Sequence, residues 1–171
     1  YAMVRVFNSA ATLSYCLDSI VRKVAKVIVA DGWFPYNEEP GDASTDNTEV
    51  IARSYPNVEW VPAPPVPYAT EEAKNNAVLA QIPDDAWVLL IDSDEYLVGD
   101  LQALLAGPVH VASDLIPMHV IGRGSNNMFY SRLFRKRAGM TFVNHWTVRY
   151  PAGACVPLYI GQETLAVYIS E

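Results

Sequence analysis

Apolar and polar positions along the first hundred residues alternate between a two-residue and a near-four-residue period, which predicts strands and helices in turn. Ala2 to Phe7 is a short β-rich run that stops at Asn8 and Ser9. Leu13, Leu17, Ile20, Val21 and Val24 recur at helical spacing and predict a helix over Ala11 to Val24. Lys26 to Ala30 predicts a buried strand ending on Asp31 and Gly32. Asp46-Asn47-Thr48-Glu49 has the polar-x-x-Glu form of a capping box and opens a helix through Val50, Ile51 and Ser54. Val58 to Val61 is a third strand, and Pro62, Pro64, Pro65 and Pro67 exclude regular structure after it. Thr70 caps a helix from Glu71 to Gln81; Ala86 to Ile91 is a fourth strand ending on Asp92; Asp100 to Leu105 is a short helix.

This succession predicts an α/β fold, a mostly parallel central sheet flanked by helices on both faces. Ligands of such sheets bind beyond the carboxyl ends of the strands, where Asn8, Asp31 and Asp92 stand. The pattern changes after residue 107. Val109 to Ile121, Met128 to Phe134, Met140 to Arg149 and Leu158 to Ile169 read as strands without long helices between them. The chain is expected to form one domain over residues 1–171, with an α/β half (1–107) and a β-rich half (108–171).

Composition narrows the function. The 171 residues are 51% hydrophobic and 18% charged, enough apolar surface to order a core. A net charge of −7 argues against binding nucleic-acid polymers or anionic membranes. That charge is uneven: residues 1–100 hold 16 acidic and 6 basic side chains, and the remainder 3 and 6. Cys16 and Cys155 lack zinc-ligand spacing and read as buried thiols of an intracellular, cytoplasmic protein. No secretion signal is visible, and the longest apolar run, Trp87 to Ile91, is far short of the ~20 residues that cross a bilayer, so no transmembrane segment is expected.

The strongest local feature is Asp92-Ser93-Asp94-Glu95, directly after the apolar WVLLI. Three carboxylates in four residues repel one another, and a divalent cation would offset that repulsion; their hard oxygen ligands suit Mg²⁺ or Mn²⁺. The ordinary alternative is a solvated acidic turn. The apolar lead-in favours the cation, because it sets these carboxylates at the ligand-binding edge.

With these motifs in order, the chain resembles the GT-A glycosyltransferases, and among them family 2 of the nucleotide-sugar-dependent enzymes. VFNSAATLSYCLDSI is similar to the family's opening strand and helix, VIVAD to its second strand ending on Asp, and DASTDNT to its helix start. EAKNNAV resembles its basic helix with Lys74 in the arginine position; DSD matches its Asp-x-Asp motif, and RLFR (Arg132 to Arg135) a later segment. The matches cover residues from about 2 to 146.

The resemblance implies a GT-A, Rossmann-like fold and transfer of a sugar from a nucleotide-diphosphate donor, expected to be UDP-linked, to a hydroxyl of a glycan, lipid or protein acceptor. It implies a nucleotide site made of Phe7, Asn8, Asp31, Lys74, Asn75, Asp92 and Ser93. Asp31 would accept from the uracil imide, and Lys74 would reach a base carbonyl or a phosphate. Asp92 and Asp94 would hold Mn²⁺ or Mg²⁺, which stabilises charge on the departing diphosphate. His145 joins them as a third ligand or as base for the acceptor hydroxyl, with Asp94 its partner in the chemistry; Trp146 is placed to stack on an acceptor sugar or to fill the core. Arg132, Arg135, Lys136 and Arg137 are candidates for phosphate contact, or else a solvated surface. Glu71 and Glu72 read as solvated helix-start charges.

Three departures stand out. Gly32 to Gly41 is an insertion carrying Trp33, Phe34 and Tyr36, suited to a lid, an acceptor contact or a contact in a homo-oligomer. Ser9 replaces an acidic residue. No clear base follows His145, with Asp114 and Glu163 weak alternatives, so inversion and retention both stay open. Two other functions compete: a non-catalytic nucleotide- or glycan-binding module of the same fold, and a sugar nucleotidyltransferase. Residues 1–15 contain no glycine for the phosphate loop of the latter.

Overall fold

A computed structural model describes residues 1–33, 41–106, 114–121, 128–143, 147–150 and 166–169. The first half follows the predicted alternation: β1 (Ala2–Arg5), α1 (Leu13–Ile20), β2 (Val27–Ala30), α2 (Thr48–Arg53), β3 (Val58–Val61), α3 (Glu71–Leu79) and β4 (Trp87–Asp92). Strands β1 to β4 are all parallel, in the order β3-β2-β1-β4. β1 and β2 are buried at every position, because both faces of this part of the sheet are covered.

Side-chain alternation divides the core in two. Ala2, Val4, Val27, Val29, Leu89 and Ile91 face α1 and share a cluster with Leu13, Leu17 and Ile20. Met3, Ile28, Val88 and Leu90 face the other way, onto Val78, Leu79 and Ile82 at the end of α3. The chain therefore runs outward from β1 to β3, then crosses back on the opposite face to place β4 on the far side of β1. The carboxyl ends of β1 and β4 diverge there, leaving a crevice at the point where strand order reverses.

The second half extends the sheet. β5 (Glu95–Val98) and α4 (Leu101–Ala106) follow β4, then β6 (Leu115–Ile121), β7 (Met128–Arg135), a small pair β8 (Thr141–Phe142) and β9 (Val148–Arg149), and β10 (Ala166–Ile169). The eight-stranded sheet has the order β3-β2-β1-β4-β7-β6-β10-β5, with β7 antiparallel to β4. This bears out the α/β class, the mostly parallel centre and the β-rich second half.

Two expectations change. The run Met140 to Arg149 is not one strand but the antiparallel pair β8 and β9. β5, unforeseen in EYLV, pairs with β10 at the sheet edge. Its position follows from packing: the strand lies on α1, and Leu97 is buried among the α1 side chains. The four described helices include none long and apolar enough to span a membrane.

Candidate functional site

The crevice between β1 and β4 opens into a cavity of about 430 Å³. Phe7, Asn8, Lys74, Asp92, Ser93 and Asp94, all expected at the site, line it together with Arg5 and Glu71. Asn8 turns the chain out of β1 with a positive φ of 51°, a conformation asparagine tolerates. Its side-chain oxygen accepts the Thr45 N–H at 2.8 Å, and its own N–H donates to Ser44 Oγ at 2.9 Å. The loop after β1 is thereby stitched to the segment before α2.

Asp31 and Asn75 are buried but do not line this cavity. The Asp31 carboxylate is engaged by Ser44, whose Oγ donates at 2.6 Å and whose N–H donates at 2.9 Å. Asp46 acts similarly one turn on, accepting the Ala10 N–H at 2.9 Å and the Thr48 N–H at 3.0 Å. Asp46 thus serves the start of α2, while Glu49 turns to Arg53 at 2.7 Å and does not complete the capping box.

Lys74 is fully buried. Its ammonium donates to the carbonyl oxygens of Val6 and Gly32, both at 2.7 Å, and so ties the ends of β1 and β2 together. Burial pulls its pKa down to about 7, with Asp31 opposing and Arg5 adding to the fall. Gly32 is required at its position: φ is +120°, and a Cβ there would lie 3.0 Å from the Tyr68 ring.

Beneath Asp92 lies a group of buried charges. Arg5 pairs laterally with Asp92 in the β1–β4 register, and its guanidinium contacts both the Asp92 and the Glu71 carboxylates. Arg132, from β7, reaches Asp92 at 3.4 Å and Glu95 at 2.5 Å. Glu95 also accepts the Asp92 N–H at 2.9 Å. Burial, then the charge of Asp92, pushes Glu95 up to about 7 against the pull of Arg132. Asp94 is more exposed; lost hydration and then Asp92 hold its carboxyl above the ordinary range. Ser93 Oγ lies 3.0 Å from Ser9 Oγ, so the residue standing where an acid was expected closes a hydrogen bond across the cavity.

Several expectations need correction. Glu71 is not a solvated helix-start charge but is buried with 2% exposure, against Arg5. The basic run does not act as a unit. Arg132 is buried at the cavity end of the sheet, whereas Arg135 pairs in register with Trp87, at the opposite end of β4. Arg135, Lys136 and Arg137 contact Asp85, Asp84 and Asp114 there, away from the cavity. His145, Trp146, Cys155, Glu163 and residues 34–40 of the insertion lie outside the described residues. Cys16 is buried, as expected. Among the described residues no three His, Cys, Asp or Glu side chains converge as a metal cage. Arg5 was overlooked, although the signal was present: a charge inside an apolar strand must find a partner.

No protein-family model and no curated protein matches the chain. Solved structures do. S. aureus TarS 1-349 superposes with a TM-score of 0.57 at 21% identity, over 74% of this chain and 37% of that one. A second S. aureus TarS structure gives 0.57 at 23% identity, over 74% and 22%. Glucosyl-3-phosphoglycerate synthase from Mycobacterium tuberculosis, in complex with Mn²⁺, UDP-glucose and phosphoglyceric acid, aligns at 25% identity with a TM-score of 0.48, over 72% and 44%. The chain has the GT-A fold that its motifs resemble. It spans less than half the length of these solved chains.

Proposed function

We propose that this chain is the donor-binding part of a metal-dependent glycosyltransferase that moves a sugar from a nucleotide-diphosphate donor, UDP-linked, to a hydroxyl acceptor. The observation that carries this reading is the convergence of Phe7, Asn8, Lys74, Asp92, Ser93 and Asp94 on one cavity at the strand-order reversal.

The donor set fits a hard cation that keeps most of its coordination for the ligand. Asp94 stands at the mouth of the cavity and Asp92 deeper, and Mg²⁺-type ions are commonly held by one or two carboxylates plus phosphate oxygens and water. When bound there, the cation stabilises the negative charge that develops on the leaving diphosphate. Asp92 offers its carboxylate to the nucleoside side of the donor. Lys74 supplies positive charge behind the cavity wall and keeps the ends of β1 and β2 in register. Asp31 sets the Ser44 segment that borders the loop after β1. His145 is proposed, from the resemblance alone, as a third cation ligand or as the base for the acceptor hydroxyl.

A donor-hydrolysis assay with Mn²⁺ across UDP-, GDP- and other sugar nucleotides tests this proposal. Slow release of UDP from one UDP-sugar is the expected result. Tight UDP binding with no turnover of any donor would favour the non-catalytic module.

A further inference from the structure

The buried charges beneath the Asp-x-Asp turn form a chain: Glu71, Arg5, Asp92, Arg132, Glu95. It joins five elements, since Glu71 opens α3, Arg5 ends β1, Asp92 ends β4, Arg132 comes from β7 and Glu95 opens β5. Arg5 contacts Asp92 Oδ1 and Arg132 contacts Oδ2, so the two carboxylate oxygens are approached by guanidinium groups from opposite neighbouring strands. Each guanidinium is anchored in turn by a buried carboxylate, Glu71 or Glu95, with exposures of 2% and 3%. Glu95 holds the Asp92 backbone N–H as well. Burying this many charges carries a heavy desolvation penalty, and well-packed hydrophobic residues of similar volume often stabilise such a sheet as well or better. The arrangement is therefore better explained by what it does to Asp92, whose side chain remains about a quarter exposed to the cavity.

We infer that Arg5 and Arg132 are positioning residues that fix the Asp92 carboxylate for the donor nucleotide, with Glu71 and Glu95 as their anchors. This rests on the donor-site reading above and adds residues to it. A guanidinium on each oxygen removes the freedom of Asp92 to turn toward Asp94 and offsets their repulsion. The cation side of the site is thereby left to Asp94, and the nucleoside side to Asp92. Lysine keeps the charge but not the planar fork, so Arg→Lys at either position loosens Asp92 while sparing the charge balance.

The test is a double-mutant cycle read by calorimetric titration of UDP at saturating Mn²⁺, with thermal melts of each variant. R5K and R132K are expected to remain folded and to weaken UDP about tenfold, the scale on which outer partners of a binding group act. In the D92N background the same substitutions are expected to cause no further loss, because their route to the ligand has been removed. Mn²⁺ binding without UDP, followed by electron paramagnetic resonance, should change less than twofold in R5K and R132K. Additive losses in the cycle, unchanged UDP binding in both lysine variants, or unfolding of both would overturn the inference while the donor site stands. No UDP binding by the unmodified chain would overturn the donor-site reading, and this inference with it.

Discussion

Ser44 grips Asp31 twice, its hydroxyl donating to one carboxylate oxygen at 2.6 Å and its backbone N–H to the other at 2.9 Å. The same hydroxyl accepts the Asn8 N–H, so one serine joins the end of β2 to the loop after β1. Ser44→Ala removes that link and takes one donor from the buried Asp31 carboxylate, at an expected cost of about 1–3 kcal/mol. Urea denaturation measures the loss, and UDP titration should show a parallel weakening as Asn8 shifts. Unaltered stability would contradict the role assigned to Ser44.

Glu71 and Glu49 both stand in the first turn of a helix, yet they should respond differently to truncation. Glu71 is buried against Arg5, and removing one partner of a buried ion pair strands the other, an expected cost of about 3–5 kcal/mol for Glu71→Ala. Glu49 forms an exposed pair with Arg53 four residues on, of a kind worth about 0.3–0.5 kcal/mol. Parallel chemical denaturation of the two variants checks this, and similar losses would refute the burial of Glu71.

Lys74 gives the protein a pH dependence of defined sign. Its pKa falls from the ordinary lysine value of 10.5 to about 7 on folding. Between those values the unfolded chain holds a proton that the folded one has released, so stability rises with pH across that window. Below about 7 both states are protonated and the cost of burying the ammonium is fully present. Lys74→Met should flatten the slope of unfolding free energy between pH 7 and 10. In the unmodified chain, UDP affinity should fall as pH rises through about 7 and the positive charge behind the cavity wall is lost.

The strands and the sheet edge that carries the cavity are legible because apolar runs such as VIVA and WVLLI end on polar residues, whereas the order of the strands emerges only in the structure. Phe7, Asn8 and the Asp-x-Asp turn are legible for the same reason, since each sits on or next to such a boundary; Lys74, inside α3, is legible only through the resemblance of EAKNNAV to the family's basic helix. The basic run Arg132 to Arg137 leaves phosphate contact and a solvated surface both open, because a basic run does not disclose which end of an antiparallel strand it occupies. Three residues of rise, about 10 Å, separate Arg132 from Arg135: Arg135 lies opposite Trp87 at the start of β4, while the Arg132 side chain reaches Asp92 at its end. Glu71 misled because helix-start acids are usually solvated; only the packing of α3 against β1 brings Arg5 beneath it. Ser44 lay inside a recognised segment, but its grip on Asp31 depends on how the chain returns after the insertion. Asp46 shows the same limit on a smaller scale, since its partner Ala10 lies 36 residues away.

The most direct test of the account is calorimetric titration of UDP into the chain with and without Mn²⁺, repeated on Asp94→Asn. The account predicts micromolar binding that depends on Mn²⁺ in the unmodified chain, with that dependence lost in Asp94→Asn while the fold is kept. Equal UDP binding with and without the metal, or no binding at all, would contradict it.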